Sequence, residues 1–167
     1  LSDFERIGDH ALNIVESAEE LKSKNLALSD AARHELNVLL RAVEEIVDMT
    51  FQAFRDDDLE KAYRVEPLEQ VIDILVERLR AQHIKRLKDG ACSIDTGVVY
   101  LDVLNNVERI SDHCSNIAAR LVGMEAGEDY DSHTLKNMMH HNPTKEYMLN
   151  YEQCRRDYLI PLEQLEA

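Results

Sequence analysis

Glu5-Arg6-Ile7-Gly8-Asp9-His10-Ala11-Leu12-Asn13-Ile14, near the start of the chain, returns as Glu108-Arg109-Ile110-Ser111-Asp112-His113-Cys114-Ser115-Asn116-Ile117. Glu, Arg, Ile, Asp, His, Asn and Ile match without a gap, so the chain carries an internal repeat. Packing explains why the isoleucines recur. It does not explain Glu, Arg, Asp, His and Asn in fixed register, so the polar face of the repeat has a shared task. Both copies lie in runs of helical period. Phe4, Ile7, Ala11, Ile14, Ala18 and Leu21 space the first, from about Asp3 to Lys24. Ser93 caps the other, whose stripe is Ile94, Val98, Leu101, Leu104, Val107, Ile110, Cys114, Ile117 and Leu121, reaching about Gly123.

Two further helices separate the copies. Ser29 or Asp30 opens one, with Leu36, Leu39, Leu40, Val43, Ile46, Val47, Phe51 and Phe54 inward. Asp56-Asp57-Asp58 breaks it and places acid at the next N-terminus, where the helix dipole is positive. The other runs from Leu59 to Lys88, with Ala62, Val65, Leu68, Val71, Ile72, Leu75, Val76 and Leu79 inward, and stops at Asp89-Gly90. Pro67 removes one of its backbone donors, which predicts a kink or short break near Glu66. Met124 to Asp131 reads as an acidic linker and Ser132 to His141 as a short helix at best. Asn142-Pro143 reads as the cap and first residue of a last helix, which Pro161 ends. Nothing reads as a strand. The expected fold is all-α, an antiparallel helical bundle.

Composition agrees. A chain of 167 residues with 5 Gly and 3 Pro has few turn formers for an all-β sandwich. Its 19 basic residues face 33 acidic ones, a net charge of −14, so the surface repels nucleic acid and suits multivalent cations or a basic partner. No apolar run approaches the roughly 20 residues of a membrane span, and no signal peptide is visible. Leu1 opens directly into helical pattern with nothing upstream to cap it, which reads as a fragment of a longer protein. Cys92, Cys114 and Cys154 are too few and too scattered for a disulfide framework or a zinc site, which implies a reducing compartment.

Glu5 and Asp9 stand four residues apart, about 6 Å along the axis and on nearly one face of the helix. Glu108 and Asp112 repeat the pair, with Asn105 and Asn116 on the same stripe. Glu69 and Asp73, flanked by Glu66 and Glu77, give a third pair on the helix before. Carboxylates one turn apart repel unless a positive group lies between them. Two such helices side by side would offer four, the oxygen-rich donor set that holds magnesium, calcium, manganese or iron. A single Glu-x-x-x-Asp is ordinarily a solvated acidic face; the duplicated register and the third pair bring the metal reading level with that one or above it. His10 and His113 follow the aspartates by one residue, about 100° round the helix, so they read as packing or hydrogen-bonding groups. His140-His141 read as loop residues and Cys114 as a small buried group. No Glu-x-x-His pair accompanies the motifs, as a di-metal oxidoreductase would need, and no nucleophile arrangement or phosphate loop is present, so the chain reads as non-catalytic.

With its duplicated Glu-Arg-Ile-(Gly/Ser)-Asp-His-x-x-Asn-Ile, the chain resembles the PhoU domain family, in which the last helix of each of two three-helix repeats carries this motif. The resemblance implies that 1–26 is the last helix of a truncated first repeat, 27–123 a complete second repeat, and 124–167 a linker with a C-terminal helical tail. It implies metal at Glu69, Asp73, Glu108 and Asp112, with Glu5 and Asp9 as half of a second site. Iron is the ion it favours, with magnesium, manganese and zinc as alternatives. Ser111 stands where the family has Gly, and Pro67 just before the Glu69 motif is a second departure. The tail, Tyr147 to Pro161, is similar to the end of bacterial sodium-dependent phosphate cotransporter-like proteins. That likeness implies a regulatory domain at the cytoplasmic face of the cell membrane, with the transmembrane portion upstream of Leu1 as its partner. A homodimer contact through the first helix and an indirect role for inorganic phosphate belong to the same reading. The alternative is a stand-alone PhoU-type regulator that restrains phosphate uptake and signalling.

Overall fold

The computed structural model describes residues 2–126, 134 and 143–162. Helix α1 spans Ser2–Ser23, α2 Asp30–Asp56, α3 Leu59–Lys88, α4 Ile94–Ala126 and α5 Lys145–Cys154; the described residues contain no strand. Serine and aspartate caps set the starts. Ser29 accepts from the Ala32 amide, Asp58 from Lys61 and Ser93 from Thr96. The stops use left-handed backbone, with Asp57 at φ 50° after α2 and Gly90 at φ 68° after α3.

Helices α2, α3 and α4 form an up-down-up bundle. Glu35 on α2 meets Arg86 on α3, and Arg80 on α3 meets Glu108 on α4, pairings that only antiparallel neighbours make. Every residue of the stripe expected on α3 is buried, and Val65, Leu68, Val71, Ile72, Leu75, Val76 and Leu79 are fully so. This helix lies between α2, α4 and α5 and is covered on several sides. Helix α1 lies along α4, and α5 lies against α3.

Several local expectations change. Helix α3 runs through Pro67 without a break: Pro67 is buried between Val65 and Leu68, and packing on both sides holds the helical path despite the missing donor. Phe51 and Phe54 are half-exposed, because the covered face of α2 is rotated toward Ala42, Met49 and Ala53. Both instead close on the Phe4 ring of α1, each with centroids 4.9 Å away. Ile94 and Val98 face solvent at 79% and 62% exposure, since the covered face of α4 at this end is the one that carries Thr96, Gly97, Val99 and Tyr100. Helix α4 continues past Gly123 to Ala126, so Met124 is helical and not part of a linker. Of the rest of that linker and of the short helix at Ser132 to His141, only Glu125, Ala126 and Thr134 are described, each helical, and the Asn142 cap lies outside the described residues. Thr144 caps α5, accepting from the Tyr147 amide. The tail then widens into a π-helical turn, Arg155–Leu159, and stays helical through Pro161 to Leu162. Leu159 and Leu162 are buried in the core, which anchors that end where proline had been expected to stop it.

Candidate functional site

The two motif copies pack against each other. Asp3 meets His113 and Arg120 while Ser17 meets Asp102, so α1 and α4 run antiparallel. The His10 and His113 rings stack with centroids 5.7 Å apart. His113 Nδ1 bonds Asp3 Oδ1 at 3.0 Å, and His10 Nδ1 bonds Asn106 Oδ1 at 2.9 Å. Asp3 and Asn106 are themselves equivalent, each two residues before the motif glutamate. The halves therefore meet about a local two-fold axis. Both histidines are structural here, as their turn away from the carboxylates suggested. Asp3 and Asn106 were missed in the sequence because the repeat was read from the glutamate onward. Two steps upstream, Leu1-Ser2-Asp3 against Leu104-Asn105-Asn106 extends it.

This packing leaves the carboxylates on the flanks. Glu108 and Asp112 line an open cleft of about 630 Å³ together with Asp102 and Asn105 from α4 and His10 and Asn13 from α1. Arg80 donates to Glu108 Oε2 and to Asn105 Oδ1, both at 3.0 Å. On α3, Glu69 is buried and Asp73 half-buried. The Arg80–Glu108 and Glu66–Ser115 contacts set the register of α3 and α4, which puts Asp73 about level with Asp112 along the bundle. Glu69 lies toward α5: burial, and then the charges of Glu66 and Glu69, push the Tyr147 phenol above its ordinary range. Glu5 and Asp9 are exposed on α1. Among the described residues, no three His, Cys, Asp or Glu side chains are gathered closely enough to hold a metal ion. The donor chemistry nevertheless suits a hard cation, since the cleft presents carboxylate and amide oxygens. An ion on Glu108 would have to displace Arg80.

Residues 36–121, just over half of the chain, match the PhoU domain. The chain belongs to the PhoU domain family. It is 27% identical over 128 residues to a phosphate-specific transport system accessory protein PhoU homolog 1 of Thermotoga maritima, covering 77% of this chain and 54% of that one. It is 32% identical over 130 residues to a phosphate-specific transport system accessory protein PhoU homolog of Streptococcus pneumoniae serotype 4, covering 78% of this chain and 59% of that one. The chain thus spans a little over half the length of these relatives. No solved structure is significantly similar to it. The PhoU match covers α3 and most of α2 and α4, with the Glu69, Asp73, Glu108 and Asp112 positions inside it. Both relatives carry the name of a transport accessory protein, which agrees with the stand-alone regulator reading rather than the cotransporter one. No helix among the described residues is long and apolar enough to cross a membrane.

Proposed function

We propose that the chain is a non-catalytic accessory module of phosphate transport that acts by binding metal and a transporter partner. The observation that carries this reading is the PhoU match over the α2–α4 bundle, whose motif histidines lock two helices together while the motif carboxylates stay on the surface. Glu69, Asp73, Glu108 and Asp112 would have to draw together to hold the ion, with Glu5 and Asp9 as part of a second site. Iron fits these oxygens, as do magnesium and manganese. A bound ion would offset the mutual repulsion of the carboxylates and give an acidic domain a charge-matched surface for its partner. The partner is a phosphate-specific transport system, by the relatives' names; the cytoplasmic face of the membrane is the location that the family resemblance implies for it. Deleting the gene and measuring phosphate uptake tests this. Uptake should escape restraint, wild-type chain should restore it, and a Glu108→Gln/Asp112→Asn chain should not.

One observation favours a second reading. The tail packs α5 on α3 and, beyond α5, buries Leu159 and Leu162 in the core, as the resemblance of Tyr147 to Pro161 to the end of sodium-dependent phosphate cotransporter-like proteins would have it. In that reading the same module regulates a transporter to which it is covalently joined. Membrane spans encoded upstream of Leu1 would select it, and a soluble first repeat there would select the stand-alone regulator.

A further inference from the structure

Helices α3 and α4 come closest at Gly97, where an added Cβ would lie 2.9 Å from His83 Nε2 and 3.0 Å from a Leu87 methyl. Ile84 follows His83 in the chain, and Val98 follows Gly97. One residue turns a helix by about 100°, and on antiparallel neighbours that step carries both side chains to the same side of the contact. Arg86 and Tyr100, three residues on from the contact pair, turn the other way, and both reach Glu35 of α2. Ile84 and Val98 therefore share the flank away from α2, and Ile94, one turn before Val98, extends their stripe. All three are exposed, Ile84 by 42%.

Farther along the same flank the surface turns acidic. Glu77 shares the face of Ile84 on α3, two turns earlier, and Asp112 shares the face of Ile94 on α4, five turns later. Glu77, Asp102 and Asp112 are all exposed. The cleft between α4 and α1 carries Asp102, Glu108 and Asp112 against Arg109. Arg80 does not answer the exposed acids, because it is already bonded to Glu108 and Asn105. The flank is thus apolar where α4 begins and negative over the turns that follow.

We propose that this flank docks a basic amphipathic helix of a partner protein, with apolar residues on Ile84, Ile94 and Val98 and lysines or arginines on Glu77, Asp102 and Asp112. A single exposed aliphatic residue needs no partner; three on one flank, continued by charges of one sign, match the two halves of such a helix. Ile94 to Asp112 spans about 27 Å, the length of a helix of about 18 residues. A bilayer fits worse, because the same acids would face anionic headgroups. A second copy of the chain fits worse too, because a two-fold pairing presents acid with more acid. The inference deepens the accessory reading by giving its partner a surface, and rests on that reading for there being a protein partner. It does not rest on the metal.

Fluorescence anisotropy on the chelator-treated chain tests it, the probe being a labelled helical peptide of about 18 residues with leucines along one half and lysines along the other. It should bind with a dissociation constant of about 10 μM or tighter, and the same peptide with glutamate for lysine, or serine for leucine, at least about tenfold more weakly. Ile94→Ser/Val98→Ser should weaken the probe by about tenfold or more, while Met148→Ser/Leu149→Ser, which alters exposed apolar residues of α5, should leave it unchanged. Should the α4 variant melt early, the amide shift map on wild type decides, with shifts expected at Ile84, Val98 and Asp112. Unchanged phosphate uptake on gene deletion would remove the transport reading, while the peptide results would still uphold the surface. Equal binding of the control peptides, equal loss in both variants, or shifts that map elsewhere would overturn the proposal. So would binding to phosphatidylglycerol vesicles, or self-association, that Ile94→Ser/Val98→Ser abolishes, since either assigns the flank to another occupant.

Discussion

His10 and His113 occupy the same position in the two motif copies, and their rings stack on one another with planes 17° apart and centroids 5.7 Å apart. Each is fixed through Nδ1 by the other helix, His113 by Asp3 and His10 by Asn106. The motif therefore does two separable things. Its histidines, with the Asp or Asn two residues before each motif glutamate, join α1 to α4; its Glu and Asp remain on the flanks.

If that join is what holds α1, breaking it should loosen α1 and little else. Asp3 is buried and bonds both His113 and Arg120, so Asp3→Ala removes two contacts and strands a buried histidine. Such a change costs about 1–3 kcal/mol. Hydrogen exchange should accelerate across Ser2–Ser23 while α2, α3 and α4 keep their protection. Uniform acceleration through all four helices would show that α1 is part of one cooperative unit.

The Glu35–Arg86 pair is the most consequential ion pair in the core. Their side chains are 11% and 15% exposed, Tyr100 donates to Glu35 at 3.3 Å, and Arg86 sits over the Tyr100 ring. Glu35→Ala leaves a buried guanidinium without its partner and should cost about 3–5 kcal/mol in urea unfolding. Glu35→Leu combined with Arg86→Met removes both charges and should cost less than the single change. A single change that costs under about 1 kcal/mol would place the pair in effective contact with water.

Stability should fall on mild acidification because of His83. Burial, and then the Arg86 charge, depress its pKa below the ordinary 6.5; Glu35 opposes this and Tyr100 stacks on the ring. In the window from 6.5 down to the depressed folded value, the unfolded chain binds more protons than the folded one. The contribution is therefore complete above pH 6.5 and is lost as pH falls through that window. Melting temperatures taken between about pH 7.5 and 5 should drop more steeply for wild type than for His83→Phe. Parallel curves would contradict a buried neutral His83.

Thiol reactivity should be confined to one end of the bundle. Burial pushes the thiols of Cys114 and Cys154 up to about 12, which leaves almost no thiolate at neutral pH. Cys92 is partly exposed in the α3–α4 connection. Iodoacetamide followed by peptide mapping should modify Cys92 in the folded chain, with Cys114 and Cys154 reacting only after denaturation.

Much of this was legible in the sequence where one physical cause acts alone. The α3 stripe from Ala62 to Leu79 was readable because that helix is covered on several sides, so each residue of the expected stripe is buried. Periodicity could not show that α2 is rolled toward Ala42 and Ala53, or that α4 begins by covering Thr96, Gly97 and Val99 rather than Ile94 and Val98, because which flank is covered depends on neighbouring helices. Pro67 misled for a related reason: local propensity argued for a break, and burial on both sides overrode it. The carboxylate pairs were visible from their four-residue spacing. Arg80 on Glu108 and the Glu35–Arg86–His83–Tyr100 cluster were not, since those partners lie 28 and 51 residues apart and no local pattern links them.

The claim that the paired carboxylates form a metal site meets its most direct test in elemental analysis joined to thermal melts before and after chelation. Wild-type chain should carry a divalent or trivalent ion, and returning that ion after chelation should raise the melting temperature, because it binds only the folded form. Asp73→Asn/Asp112→Asn should abolish both the bound metal and the shift, while the metal-free variant stays at least as stable as metal-free wild type because repulsion is relieved. Cys114→Ser should leave the metal response intact. A double variant that keeps its full metal content and the same shift would contradict the account and reduce the Glu-x-x-x-Asp stripes to a solvated acidic face.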